Sequence, residues 1–293
     1  MSLTKFDYYA PERVEDACRL LMEKGEGAMV MAGGTDLLIK IQRGLLKTQT
    51  LIDLQKIESI HDITFDKDKG LSIGAMARLN DVANHPVIKE KFPAVSEAAL
   101  ATANVQIRNM GTVVGNLCNA APSADNAPVL MAMGAVVNLV RSNGERQIPL
   151  EAFFQGPGLT VIQKGEIVTS VFVPTPPAGS GASYQHISAR GKVDISAVCV
   201  GVMLTMKGKT CQTARIVLGA VAPVPMRALR AEKVIEGNPI SKEVLEKAGI
   251  EASKECKPIS DLRAAAEYRK ILVGVLTARA VNEAAKRASK KPN

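Results

Sequence analysis

The chain has 293 residues, 46% hydrophobic and 23% charged, which places it among ordinary globular proteins and allows two domains with separate cores. A formal net charge of +8 at pH 7 invites a nucleic-acid reading, but aromatic residues make up only 3% and tryptophan is absent, so bases have no stacking platform and a solvated basic surface is expected. No apolar run reaches membrane length, and the N-terminus lacks the basic, apolar, small-residue order of a secretory signal, so a cytoplasmic protein without a membrane span is expected.

Five cysteines (Cys18, Cys118, Cys199, Cys211, Cys256) stand singly with no C-x-x-C pair, so a zinc site, a self-contained iron–sulfur cluster and a disulfide framework all lack their ligands. The basic tail sets Arg279, Lys286, Arg287, Lys290 and Lys291 against the single acid Glu283, as a disordered end or a docking strip for an acidic partner.

In chain order, Phe6 to Tyr9 predicts a short strand, and Pro11 opens a helix whose Val14, Ala17, Cys18 and Leu21 form one apolar face before Gly25 and Gly27. Ala28 to Met31 predicts a strand running into Ala32-Gly33-Gly34-Thr35-Asp36, followed by a short helix from Leu37 to Ile41 and a strand from Thr50 to Leu54. This series predicts a small α/β subdomain. After a turn at Asp66 to Gly70, a strand from Leu71 to Ala75 and helices at Arg78 to Ala83 and Ser96 to Ala103 are expected. Gln106 to Asp125 is too rich in Gly, Asn, Thr and Ser for a core element and has no charge run, which predicts a ligand-facing loop.

A helix at Val129 to Met133 and strands at Ala135 to Val140 and Ile167 to Val173 follow. Pro174 to Gly181 holds three prolines and two glycines, so the domain boundary is placed there, between a unit at residues 1–176 (subdomains 1–55 and 56–176) and one at 177–293. Beyond it, Ala197 to Met206 and Ala214 to Val221 predict long strands joined at Lys207-Gly208-Lys209-Thr210. Helices are expected at Ser241 to Ser253 and Ala264 to Ala285, the last with Tyr268, Leu272, Val275 and Leu276 toward a sheet.

A diphosphate needs several backbone N–H donors converging on it with no side chain in the way, and glycines at a strand-to-helix turn supply that geometry. Gly33 and Gly34 meet the requirement, with Thr35 as a hydroxyl donor and Asp36 as a cap or water-mediated contact; a plain strand-to-helix connection is the alternative. Thr112 to Asn116, around Gly111 and Gly115, makes a second such turn, and two turns suit one bent dinucleotide better than the single G-x-G-x-x-G of nicotinamide-binding folds, which is missing. Asp125 could accept from ribose or ribityl hydroxyls, or with Ser123 cap the following helix.

These segments, Met31-Ala32-Gly33-Gly34-Thr35-Asp36-Leu37, Gln106 to Asn116 and Ser123 to Pro128, resemble the FAD-binding medium subunit of the xanthine dehydrogenase and carbon monoxide dehydrogenase family over essentially the whole chain. The resemblance implies an α+β fold: a two-subdomain FAD-binding domain of the vanillyl-alcohol-oxidase-like (PCMH) type, then a smaller C-terminal α/β domain with an antiparallel sheet and helices. It places Ala32, Gly33, Gly34, Thr35 and Asp36 in the first FAD diphosphate loop and Thr112, Val113, Val114, Gly115 and Asn116 in the second. Asp125 falls at a cofactor-contacting position, and Tyr184 to Ile195 resembles the C-terminal stretch that approaches the flavin. Two departures stand out. Val114 replaces a glycine, and a β-branched residue resists positive φ. His186 replaces a lysine near the cofactor, and a lone histidine is more often structural.

The resemblance further implies non-covalent FAD, because Thr35 and Asp36 stand where related oxidases carry an anchoring histidine, and flavin as the only redox centre, because no cysteine-bearing insertion is present. Its implied partners are a molybdopterin-binding large subunit, a two-iron two-sulfur small subunit and an external electron acceptor, NAD among the candidates. No acid, base or nucleophile is nominated. The rival readings are a stand-alone flavin oxidoreductase with its own substrate pocket, and a non-redox subunit with a vestigial nucleotide site, for which Val114 is the support. Gly33→Asp is expected to strip the flavin from a folded chain.

Overall fold

The computed structural model describes residues 5–191 and 194–289; Lys192 and Val193 of the flavin-approaching stretch, and Lys290 and Lys291 of the tail, lie outside these residues. The first subdomain follows the hydrophobic pattern closely: β1 (Asp7–Tyr9), α1 (Val14–Lys24), β2 (Ala28–Met31), α2 (Leu37–Gln42) and β3 (Thr50–Asp53). The strands form an all-parallel sheet in the order β1-β3-β2, which leaves the carboxyl end of β2 free to turn into the Gly33-Gly34 segment.

The second subdomain begins with β4 (Ile63–Asp66), β5 (Gly70–Gly74) and the helices α3 (Leu79–Asn84), α4 (Pro86–Lys91) and α5 (Pro93–Ala101). Proline fills the first turn of both α4 and α5, where its missing N–H costs nothing. Next come α6 (Val105–Arg108), α7 (Val113–Cys118), α8 (Asn126–Ala132), β6 (Val136–Arg141), β7 (Gly144–Pro149), the small hairpin β8 (Phe154–Gly156) with β9 (Leu159–Thr160), and β10 (Ile167–Pro174). The main sheet is antiparallel in the order β4-β5-β10-β6-β7. The stretch expected as a ligand-facing loop contains the end of α6 and the whole of α7 between its turns. Val113, Val114 and Leu117 of α7 are buried in the core, because its polar residues occupy one face and its apolar residues the other.

The C-terminal unit holds β11 (Ser180–Ser188), β12 (Ser196–Lys207), β13 (Thr210–Gly219), β14 (Met226–Arg227), α9 (Leu229–Ile235), α10 (Lys242–Glu255) and α11 (Ala266–Ser289). The proline-rich connection is shorter than expected, since β11 already starts at Ser180. Its sheet, in the order β11-β12-β13-β14, is covered on both sides, which explains the near-continuous apolar run in β12. Alternation sorts the two faces: Val198, Val200, Val202 and Leu204 pack against the helices, while Cys199, Met203 and Val217 join the core of the preceding unit. On α11 the buried face is Leu272, Val273, Leu276, Ala280, Val281 and Ala284; Tyr268 and Val275 face solvent, contrary to the sequence-based assignment, which spanned too wide an arc.

Two further ties cross between the units. Arg287, read from sequence as part of a disordered end or docking strip, lies in α11, pairs through two nitrogens with Glu97 of α5 and donates to the Ala182 carbonyl at 3.0 Å. Gly201 of β12 lets α8 approach, because a Cβ there would collide with the Pro128 backbone, and Gly219 admits the Pro128 ring. Gly201→Ala should therefore destabilise the chain by about 1–3 kcal/mol through overpacking. Urea unfolding checks this, and an unchanged midpoint would contradict the packing described.

Candidate functional site

The two glycine-bearing segments meet. Gly33 lies against the second segment so closely that a Cβ there would run into the Met110 carbonyl and the Gly111 Cα. A Cβ built on Gly111 would stand 3.4 Å from the Thr35 hydroxyl, and one on Gly115 3.9 Å from the Ala32 methyl. Gly34 takes φ +69°, the left-handed conformation that glycine adopts without strain, and so turns the chain from β2 toward α2. No backbone carbonyl of the described residues accepts from the N–H of Gly33, Gly34, Thr35 or Asp36, which leaves a short run of main-chain donors for a ligand.

These segments line a cleft of about 930 Å³. Ala32, Gly33, Gly34, Thr35 and Asp36 form one wall, and Gly111, Thr112, Val114, Gly115 and Asn116 another. Asp36 occupies the N-cap position of α2, makes no capping bond and lines the cleft as an exposed residue. The Thr112 hydroxyl accepts from Gly115 N at 2.9 Å and caps α7, a role the sequence analysis did not assign to it. Val114 lies in α7, outside the residues with positive φ, so this turn is helical and the β-branched side chain fits it as a buried core group. Val113 is fully buried and does not line the cleft.

Several cleft residues carried no signal in the sequence. Lys40, one turn into α2, donates to Asn119 Oδ1 at 2.6 Å and brings a cation to the wall while joining the two loop regions. Ala103 is held at φ 50°, costly for a residue with a Cβ, by Arg108, whose Nη1 donates to the Ala103 carbonyl at 2.7 Å and the Thr102 carbonyl at 3.2 Å. Gln163 to Val168 close a further side. There Glu166 is buried against Arg146 in a paired contact of 2.6 and 2.7 Å, and this hydrogen bonding holds its carboxyl below the usual range. Burial pushes the Cys118 thiol up to about 12, so this cleft-lining cysteine stays protonated.

Asp125 and His186 sit elsewhere, at the junction of the two units and off the cleft wall. Asp125 does not cap α8; its Oδ1 accepts from Tyr184 and Ser196, each at 2.6 Å. His186 stacks on the Tyr184 ring, with centroids 5.6 Å apart, and its Nδ1 lies 3.3 Å from the Ser196 hydroxyl. Burial pushes the Asp125 carboxyl above its ordinary value, opposed by the Ser196 and Tyr184 hydrogen bonds and by His186.

Residues 4–176 match the family described as the FAD binding domain in molybdopterin dehydrogenase, and residues 182–284 match the CO dehydrogenase flavoprotein C-terminal domain. The chain belongs to this flavoprotein family. The carbon monoxide dehydrogenase medium chain of Afipia carboxidovorans is 35% identical over 97% of this chain and 98% of its own length. The glyceraldehyde dehydrogenase medium chain of Sulfolobus acidocaldarius is 29% identical over 96% and 99%. In three dimensions, the carbon monoxide dehydrogenase structure from Hydrogenophaga pseudoflava superposes with a TM-score of 0.94 at 32% identity, covering 98% of this chain and 99% of that one. The chain is thus an FAD-binding medium subunit of the molybdenum hydroxylase type, an oxidoreductase component with the expected α+β two-domain fold.

Two measurements test this geometry. Gly33→Ala should weaken FAD binding at least about tenfold, because the methyl forces the two loops apart; the collision is with protein backbone, so Gly33→Asp should perturb the fold here too and not only repel phosphate. Equilibrium flavin titration of the variant reads the loss, and wild-type affinity would refute the contact. A carboxyl with a raised folded pKa costs stability as pH climbs from its ordinary value through the raised one, and costs nothing below. Asp125→Asn, whose amide oxygen can still accept from Tyr184 and Ser196, should therefore gain stability relative to wild type at neutral pH and lose that gain in acid. Thermal melts across pH check the sign; an equal loss at every pH would overturn it.

Proposed function

We propose that this chain is the electron-transfer flavoprotein of a larger complex, taking electrons from iron–sulfur clusters in a small partner subunit and passing them to an external acceptor, with substrate oxidised at a molybdopterin centre in a large subunit. The observation that carries the reading is the shared cleft: both glycine segments face one cavity, as a single extended dinucleotide requires. FAD bound there supplies the capacity to take up and release reducing equivalents. The chain's own residues bind and orient it. The unpaired N–H groups of residues 33–36, the Lys40 ammonium and the polar side chains of Thr35 and Asn116 are the donors for its phosphates, and the apolar parts of the wall keep water from the rings.

Ala32 to Asp36 and Thr112, Val114, Gly115 and Asn116 contact the cofactor directly in this reading. Val113 serves as the buried anchor of the second loop, and Asp125 and His186 act through the junction with the C-terminal unit. Binding is non-covalent in this reading, since residues 32–36 of the first glycine segment hold no histidine or cysteine and burial keeps the Cys118 thiol protonated. The units are residues 1–176 and 177–293, and the protein works in the cytoplasm; no helix among the described residues is long and apolar enough to cross a membrane.

Relatives that span the same length serve complexes named for carbon monoxide and for glyceraldehyde, which supports a substrate choice made outside this chain. The acceptor is an external carrier, with NAD, a quinone and a ferredoxin among the candidates. The purified full chain should bind FAD with a flavin absorbance spectrum and release it on acid precipitation, yet oxidise no organic substrate until large and small subunits are added. Turnover by the isolated chain, or native mass spectrometry of the complex without such subunits, would refute the assignment.

A further inference from the structure

Asn126 opens α8 and is 1% exposed. Its Nδ2 donates to Thr102 Oγ1 at 3.1 Å and to Asn116 Oδ1 at 3.0 Å, whereas its own Oδ1 is buried without a partner among the described residues. The amide cannot be turned round. The Thr102 hydroxyl spends its proton on the Ala98 carbonyl at 3.0 Å, so toward Asn126 it can only accept. A buried acceptor left unsatisfied is costly, and its persistence points to a demand for the donor end.

That demand falls on Asn116. With Oδ1 engaged by Asn126, the other end of the Asn116 amide, Nδ2, has no hydrogen-bond partner among the described residues, and Asn116 lines the cleft beside Gly115. We propose that Asn126 is a positioning residue that locks the Asn116 amide with its NH2 group, and not its carbonyl, toward the cofactor diphosphate. An unrestrained asparagine presents either end; a locked one presents only a donor, which suits an anion and disfavours a cationic or donor-rich group. The inference rests on the FAD reading of the cleft and adds a residue that never touches the cofactor.

The test is a titration of the flavin-free full chain with FAD, followed by fluorescence, for wild type, Asn126→Leu, Asn116→Ala and the double variant. Losing one oriented hydrogen bond to a charged group should weaken binding by about tenfold in each single variant. The double variant should be no weaker than Asn116→Ala alone, because Asn126 acts only through Asn116. Losses that multiply, or an Asn126→Leu chain that binds like wild type, would overturn the proposal, while a wild-type chain that fails to bind FAD would instead overturn the cofactor reading. If Asn126→Leu does not fold, the wild type decides. In protein labelled with ¹⁵N-asparagine, the Asn116 side-chain NH2 resonances, assigned by their loss in Asn116→Ala, should shift on FAD addition, and unmoved resonances would refute the orientation.

Discussion

Gly33 presses against the Met110 carbonyl and Gly111, and this contact between two lengths of main chain organises the rest of the site. Neither segment could approach so closely with a side chain between them, and the approach leaves main-chain N–H groups facing a common cavity. The parallel sheet β1-β3-β2 delivers the first segment, because the free carboxyl end of β2 is where such a sheet releases its chain. The second is delivered by α6 and α7, fixed by the Thr112 cap and by burial of Val113, Val114 and Leu117. At Val114 a helical turn needs no glycine: the backbone stays in the ordinary region, and the side chain adds to the core.

The start of α8 links this cleft to the C-terminal unit. Two consecutive residues there face opposite ways. Asn126 reaches back to Asn116 and Thr102 at the cleft, and Asp125 reaches out to Tyr184 and Ser196 on the C-terminal sheet. Pro128 then packs into the space left by Gly201 and Gly219. The start of one short helix thus carries both sets of contacts. The Arg287 pairing with Glu97 braces the same junction from α11. His186, stacked on Tyr184 with its Nδ1 3.3 Å from the Ser196 hydroxyl, belongs to this junction.

The elements with clear periodicity were legible in the amino-acid order: α1 with its apolar face, β2 running into the glycine pair, the β12–β13 hairpin about Gly208, and the long helices α10 and α11. Elements whose residues alternate weakly or carry charge, such as β4, β7 and α9, gave no such signal, and their place depends on neighbouring strands and not on their own pattern. The helix α7 inside the segment 106–125, which was expected as a loop, was missed for a related reason. Composition averages over faces, and α7 keeps its polar and apolar groups apart only once it is coiled.

By itself the sequence determined that two glycine segments of the right chemistry exist and that flavin-type recognition is available to them, because residue type and local spacing suffice for those conclusions. Only the tertiary structure decided that the segments share a cavity, that Lys40, Ala103 and Gln163 belong to its wall, and that Asp125 turns away to the domain junction. Those outcomes depend on contacts between residues dozens of positions apart, whose geometry is set by the packing of whole sheets and helices and leaves no trace in the neighbourhood of any single residue.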